Sequence, residues 1–187
     1  MGGISVMVAH DAVTGKSVAI DGTSPSRAAI HPGVFTLLGE DQRKGGYGWR
    51  ATKNDANHTG YLSTAVPGTP SCLLTAHERY GKLPREVVMA PAIRFAEEGV
   101  EILWYVALVI AMEGNRVWQF PELKRIFTRP DGTPLAAPVV SMDQDRLIQP
   151  ELAASLRRIV HSGVDGFYKG ETARLIVADM APPTADS

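Results

Sequence analysis

Several stretches of the chain carry residue types whose spacing suits chemistry. His10-Asp11-Ala12-Val13-Thr14-Gly15-Lys16-Ser17 ends like a phosphate-binding loop, in which backbone amides and a lysine cradle phosphate oxygens. That loop wants Gly or Ala where His10 stands and a helix directly after the lysine, whereas Val18-Ala19-Ile20 reads as strand, so a hairpin turn is the better reading. The five histidines, His10, His31, His58, His77 and His161, share no helical ligand spacing and flank no Cys or carboxylate in a metal pattern, so no metal or cofactor is expected. Cys72 falls in the first turn of a helix, where amide dipoles favour a thiolate; a small buried residue on an amphipathic helix is the preferred reading. Arg43-Lys44-Gly45-Gly46-Tyr47-Gly48-Trp49-Arg50 interleaves cations and aromatics as a single-strand-binding loop does, and in a neutral chain it reads as a surface loop. Asn57-His58-Thr59 is formally a glycosylation acceptor, without meaning unless the chain is secreted.

The elements that must position these residues follow from pattern. Ile4 to His10 and Ser17 to Asp21 are β-forming runs around the turn residues Thr14-Gly15-Lys16, which predicts an N-terminal β-hairpin. Residues 22 to 60 show no sustained period and read as a loop-rich excursion. Thr69-Pro70 then opens a helix over 69–80, with Leu73, Ala76 and Tyr80 at helical spacing and Gly81 as its stop. Pro84 opens a short helix through Met89, and Pro91 kinks it or begins another that ends at Gly99. Ile102 to Met112 is about eleven apolar residues, short of the roughly twenty a membrane span needs, and reads as a buried helix. Pro150 to Gly163 is amphipathic, with Leu152, Ala153, Leu156, Ile159 and Val160 inward and Arg157 and Arg158 outward. Glu171 to Met180 gives the last helix, Asp131-Gly132-Thr133-Pro134 a turn, and residues 182–187 a disordered tail. No internal repeat is visible.

Composition bounds the rest. The 187 residues hold 19 Lys plus Arg against 20 Asp plus Glu, a formal charge of −1, so no nucleic-acid or membrane partner is expected. At 44% hydrophobic and 21% charged, a chain of this length buries roughly two-thirds of its unfolded surface and reads as globular. One cysteine excludes an internal disulfide framework. The first ten residues lack a basic region and an apolar stretch of signal-peptide length, so as given the chain reads as not addressed for secretion.

Three blocks in order carry a family resemblance: Thr64-Ala65-Val66-Pro67-Gly68-Thr69-Pro70, then Ala76-His77-Glu78-Arg79-Tyr80-Gly81-Lys82-Leu83-Pro84, then Ala90-Pro91-Ala92-Ile93-Arg94-Phe95-Ala96-Glu97-Glu98-Gly99. They resemble the large subunit of the γ-glutamyltransferase family. The likeness extends to Asp11–Lys16, to Ala19-Ile20-Asp21-Gly22, to Gln149–Ala153 with Leu156, and to Gly166–Gly170. It implies an α/β (α+β) fold class: a mostly helical fragment of the four-layer αββα sandwich of N-terminal nucleophile hydrolases, beginning with the hairpin. In that family one precursor cleaves itself, and a small subunit with an N-terminal Thr acts as nucleophile.

All twelve threonines here are internal and no Thr-Thr pair occurs, so the resemblance implies no catalytic residue in this chain and a small-subunit partner that carries it. Residues 1–187 then form a single partial domain: hairpin 1–21, excursion 22–63, helical region 64–181 and tail 182–187. The small-molecule substrate would be a γ-glutamyl or other amide. Glutamyl-specific members place an Arg two residues after the hairpin's Asp, where it pairs with the substrate α-carboxylate; here that position is Thr23, and Arg27 follows four residues on. Thr23 and Arg27 are therefore the candidate substrate-binding residues, and members without the Arg resemble acylases of other amides. Two readings stand beside this one. The first is a family acylase acting on non-glutamyl amides, and the second is a non-catalytic helical relic or self-associating module, with apolar surface such as Trp104, Val109 and Phe167 uncovered.

Overall fold

A computed structural model describes residues 4–39, 42–44, 48–138 and 144–180; the tail expected at 182–187 lies outside the described residues. Backbone contacts group the chain into two compact units, residues 1–81 with 175–187, and residues 82–174. This division is finer than the single partial domain read from sequence.

In the first unit, β1 (Ser5–Asp11) and β2 (Lys16–Gly22) pair antiparallel from Ser5↔Gly22 to Asp11↔Lys16. The turn between them is built locally. Asp11 accepts from the Val13 amide through Oδ1 (2.9 Å) and from the Thr14 hydroxyl through Oδ2 (2.7 Å), and the Gly15 amide donates to the Asp11 carbonyl at 2.8 Å. Gly15 takes φ +68°, where a side chain is disfavoured. The Gly-Lys-Ser run is thus a hairpin turn whose lysine begins a strand.

The excursion is more regular than its sequence suggests. β3 (Arg43–Lys44) pairs with β4 (Trp49–Arg50), and the Leu37↔Thr52 bridge together with the Leu38 N–H to Ala51 and Ala51 N–H to Gln42 bonds extends this ladder. Two-residue strands are too short to print a period, which is why the sequence reads as loop. Ala51 and Thr52, which belong to this ladder, are buried. Asn57 accepts from the Thr52 hydroxyl (2.7 Å) and donates to the Arg50 carbonyl (3.3 Å), so the amide of the glycosylation-like triplet is engaged within the loop.

α1 (Thr69–Tyr80) has the expected bounds, with Gly68 as its cap and Pro70 in its first turn; Thr69 is its first residue rather than a side-chain cap. Its buried positions are Cys72, Leu74 and Ala76, while Leu73 and Tyr80, expected inward, are about half exposed. α1 packs on β2 and β1.

In the second unit α2 (Arg85–Glu98) is one helix rather than two, with Pro91 inside it. Pro91 cannot donate to the Val87 carbonyl, and both residues sit on an exposed face where water can serve that carbonyl. β5 (Val100–Glu101) precedes α3 (Trp104–Met112), α4 (Gly114–Val117) and α5 (Pro121–Phe127). β6 (Arg146–Leu147) pairs with β5, and α6 (Pro150–Ser162) packs on α2 and on α7 (Asp165–Tyr168). α8 (Gly170–Met180) follows, its residues from Leu175 on belonging to the first unit.

α3 corrects the expectation of a buried helix. Ile102 and Ile110 are buried with Leu135, and Val106, Ala107, Phe127 and Leu147 pack around them. Trp104, Tyr105 and Met112 remain 72%, 62% and 74% exposed. A helix apolar on every side buries only the stripe that meets its core, and the others face outward. α6 needs a smaller correction: Leu152 is half exposed, and Arg158 points inward, its Nε donating to the Thr172 hydroxyl at 2.7 Å.

Candidate functional site

The loop that leaves β2, residues 22 to 27, holds both candidate substrate-binding residues, and the segment leading into α1 clasps it. Gly22 lies under Cys72: a Cβ built on Gly22 would overlap Ser5 Oγ and Cys72 Cβ. Gly68 lies on the loop's backbone, where its own Cβ would overlap the Gly22 carbonyl oxygen and stand 2.9 Å from that of Thr23. Two glycines thus let two backbones approach to a distance no side chain allows. The Val66 amide donates to the Pro25 carbonyl at 3.0 Å, and an Arg27 Nη2 donates to the Leu62 carbonyl at 3.1 Å. Each of these contacts belongs to the first unit.

Thr23 is exposed and committed to Asp21. Its amide (2.8 Å) and its hydroxyl (2.5 Å) both donate to Asp21 Oδ1. The hydroxyl bond first, and the amide bond second, hold the Asp21 carboxyl below its ordinary value, so Asp21 is ionised at neutral pH. Arg27 is half buried, and its Nε is enclosed without a hydrogen-bond partner among the described residues. The loop therefore joins Thr23 to Asp21 and Arg27 to Leu62. No bond joins Thr23 to Arg27 among the hydrogen bonds described.

The other candidates fall elsewhere. Cys72 is 3% exposed, its Sγ 4.0 Å from the Ile20 carbonyl oxygen, which is the buried packing role preferred from sequence. His10 pairs with the Ser17 hydroxyl at 2.9 Å, His58 with Asp55 at 3.2 Å and His161 with the Ser162 hydroxyl at 3.0 Å, at separate places in the chain. Of the basic and aromatic stretch, residues 45–47 lie outside the described residues. Sequence reasoning passed over Asp21 as an interacting group. Its signal was the Asp-Gly-Thr spacing, in which a carboxylate reaches the amide and hydroxyl two residues on.

With this geometry in place, comparison with known proteins decides the family. The model of the gamma-glutamyltranspeptidase family matches residues 1–184. The chain belongs to the γ-glutamyltranspeptidase family. It is 37% identical over 132 residues to a glutathione hydrolase proenzyme of Pseudomonas sp. (strain A14), covering 67% of this chain and 21% of that protein. It is 30% identical over 167 residues to the acylase ACY 1 proenzyme of Pseudomonas sp. (strain SE83), covering 89% of this chain and 28% of that protein. Among solved structures, Helicobacter pylori gamma-glutamyltranspeptidase superposes with a TM-score of 0.80 at 26% identity, covering 95% of this chain and 46% of that one. The chain thus spans under a third of these curated relatives and under half of the solved chain. An α/β arrangement of mostly helix with small sheets is the fold portion that the γ-glutamyltranspeptidase likeness covers.

Proposed function

We propose that this chain is an interior part of the large subunit of a γ-glutamyltranspeptidase-like amidohydrolase, set within the αββα sandwich of N-terminal nucleophile hydrolases. It supplies part of the substrate-facing wall, and a small subunit beginning with Thr supplies the nucleophile. The family match over residues 1–184 carries this reading. The name proenzyme on both curated relatives supports a partner released from a common precursor.

The chemistry needs few groups. An N-terminal Thr has its own α-amine beside its hydroxyl, and the amine takes the hydroxyl proton as oxygen attacks the amide carbonyl. The C–N bond breaks, the amine leaves with that proton, and the acyl group stays on the Thr oxygen until water or an acceptor amine removes it. In this chain Thr23 and Arg27 face the acyl half of the substrate. With Thr at position 23 the forked, two-bond recognition of an α-carboxylate is lost, which moves preference from γ-glutamyl amides such as glutathione toward other acyl groups. The likeness to an acylase supports that direction.

Co-production with a Thr-initiated small subunit of a glutathione hydrolase tests the reading. A stable complex that cleaves acyl anilides, with non-glutamyl ones preferred, is expected. A chain that never joins the small subunit contradicts it. The exposed apolar side of α3 favours a second reading, a non-catalytic module that binds copies of itself. For that reading, size-exclusion of the purified chain would show a concentration-dependent oligomer and the small subunit would not dissolve it.

A further inference from the structure

Asp21 stands next to the position at which a glutamyl-specific site would need a cation, and the loop leaves its charge open. Oδ1 takes both donors of Thr23, whereas Oδ2 has no hydrogen bond among the described residues. The carboxylate is exposed, and no cation pairs with it among the described residues. The next cation along the chain, Arg27, is turned to the Leu62 carbonyl with its Nε enclosed. The clasp of Gly68 and Cys72 on Gly22 holds the backbone between Asp21 and Thr23.

We propose that Asp21 sets the acyl specificity of this site: its Oδ2 accepts a hydrogen bond from an ammonium on the acyl group and repels a carboxylate placed there. This deepens the amidohydrolase reading and rests on its placing the acyl group at the residue 22–27 loop. The substrate class is then an amide whose acyl chain carries an amine and no carboxylate at that end. Unlike charges about 4 Å apart in water attract by enough to change binding about fivefold, and like charges repel by as much.

Binding to the full chain separates this from the catalytic reading, since it needs no nucleophile. Three anilides of equal chain length serve as probes: 4-aminobutyryl (cationic), glutaryl (anionic) and pentanoyl (neutral). The Thr23 amide resonance of the ¹⁵N-labelled chain reports occupancy. The expected order of affinity is cationic, neutral, anionic, each step about fivefold. In Asp21→Asn, whose amide oxygen can still accept from Thr23 and keep the turn, the three affinities converge. Tight glutaryl binding, an unchanged order in Asp21→Asn, or no saturable shift with any probe would overturn the inference. Turnover after co-production with the small subunit is a separate readout, whose failure would count against the catalytic reading instead.

Discussion

Thr23 turns its amide and its hydroxyl toward one oxygen of Asp21. A hydroxyl already bonded to an ionised carboxylate is a weak partner for a second anion. Thr23→Arg restores a forked cation at this position, and we expect it to raise kcat/KM for a γ-glutamyl anilide by about tenfold or more in the reconstituted enzyme, the worth of hydrogen bonds to a charged group. Unchanged selectivity in that variant would show that residue 23 does not face the acyl group. Residue identity at positions 23 and 27 was legible in the sequence. The commitment of Thr23 was carried by the Asp-Gly-Thr spacing, whereas that of Arg27 was not legible, because it depends on Leu62, 35 residues further along the chain.

Among the elements, the clasp and the inner helices carry separate predictions. Gly68→Ala drives a Cβ into the carbonyl oxygens of Gly22 and Thr23, which are backbone and cannot rotate away. We expect a loss of about 1–3 kcal/mol, read as a lower urea midpoint at unchanged m-value. In the second unit the buried Thr172 hydroxyl accepts from Arg158 Nε (2.7 Å) and donates to the Gly166 carbonyl (2.9 Å). Thr172→Val removes both bonds and leaves the Gly166 carbonyl unpaired, with an expected cost of about 1–3 kcal/mol by the same assay. The sequence marked the hairpin, α1, α6 and α8 correctly because each has its own cap, proline or glycine signal. It misread the faces of α1 and α3, since Leu73 or Cys72, and Trp104 or Ile110, are equally apolar and only the partner surface decides which turns inward. The short ladder within residues 37–52 left no period to read.

Across the whole molecule, charge and exposed apolar surface govern behaviour. The Arg129 guanidinium, within 2.5 Å, is the chief cause holding Asp145 below the ordinary carboxylate range; the Ala136 amide adds to it. Glu97 beside Arg157 and Glu171 beside Arg174 are lowered likewise. A group lowered in the fold contributes stability that is present above its unfolded value, about 4, and is lost as pH falls through the lower folded value. The urea midpoint is therefore expected to be flat from pH 7 to 5 and to drop below about pH 4, with a shallower drop in Asp145→Asn. Trp104, Tyr105 and Met112 leave an apolar face on α3, and the isolated chain should bind a hydrophobic dye, less so in Trp104→Gln. If this chain completes an amidohydrolase whose nucleophile lies on another subunit, anilide cleavage requires both. The decisive comparison is anilide cleavage by the chain co-produced with a Thr-initiated small subunit against the same pair carrying Ala in place of that Thr. Turnover by the first pair and none by the second is the predicted result. Equal release from both pairs, or none from either despite a stable complex, would contradict it.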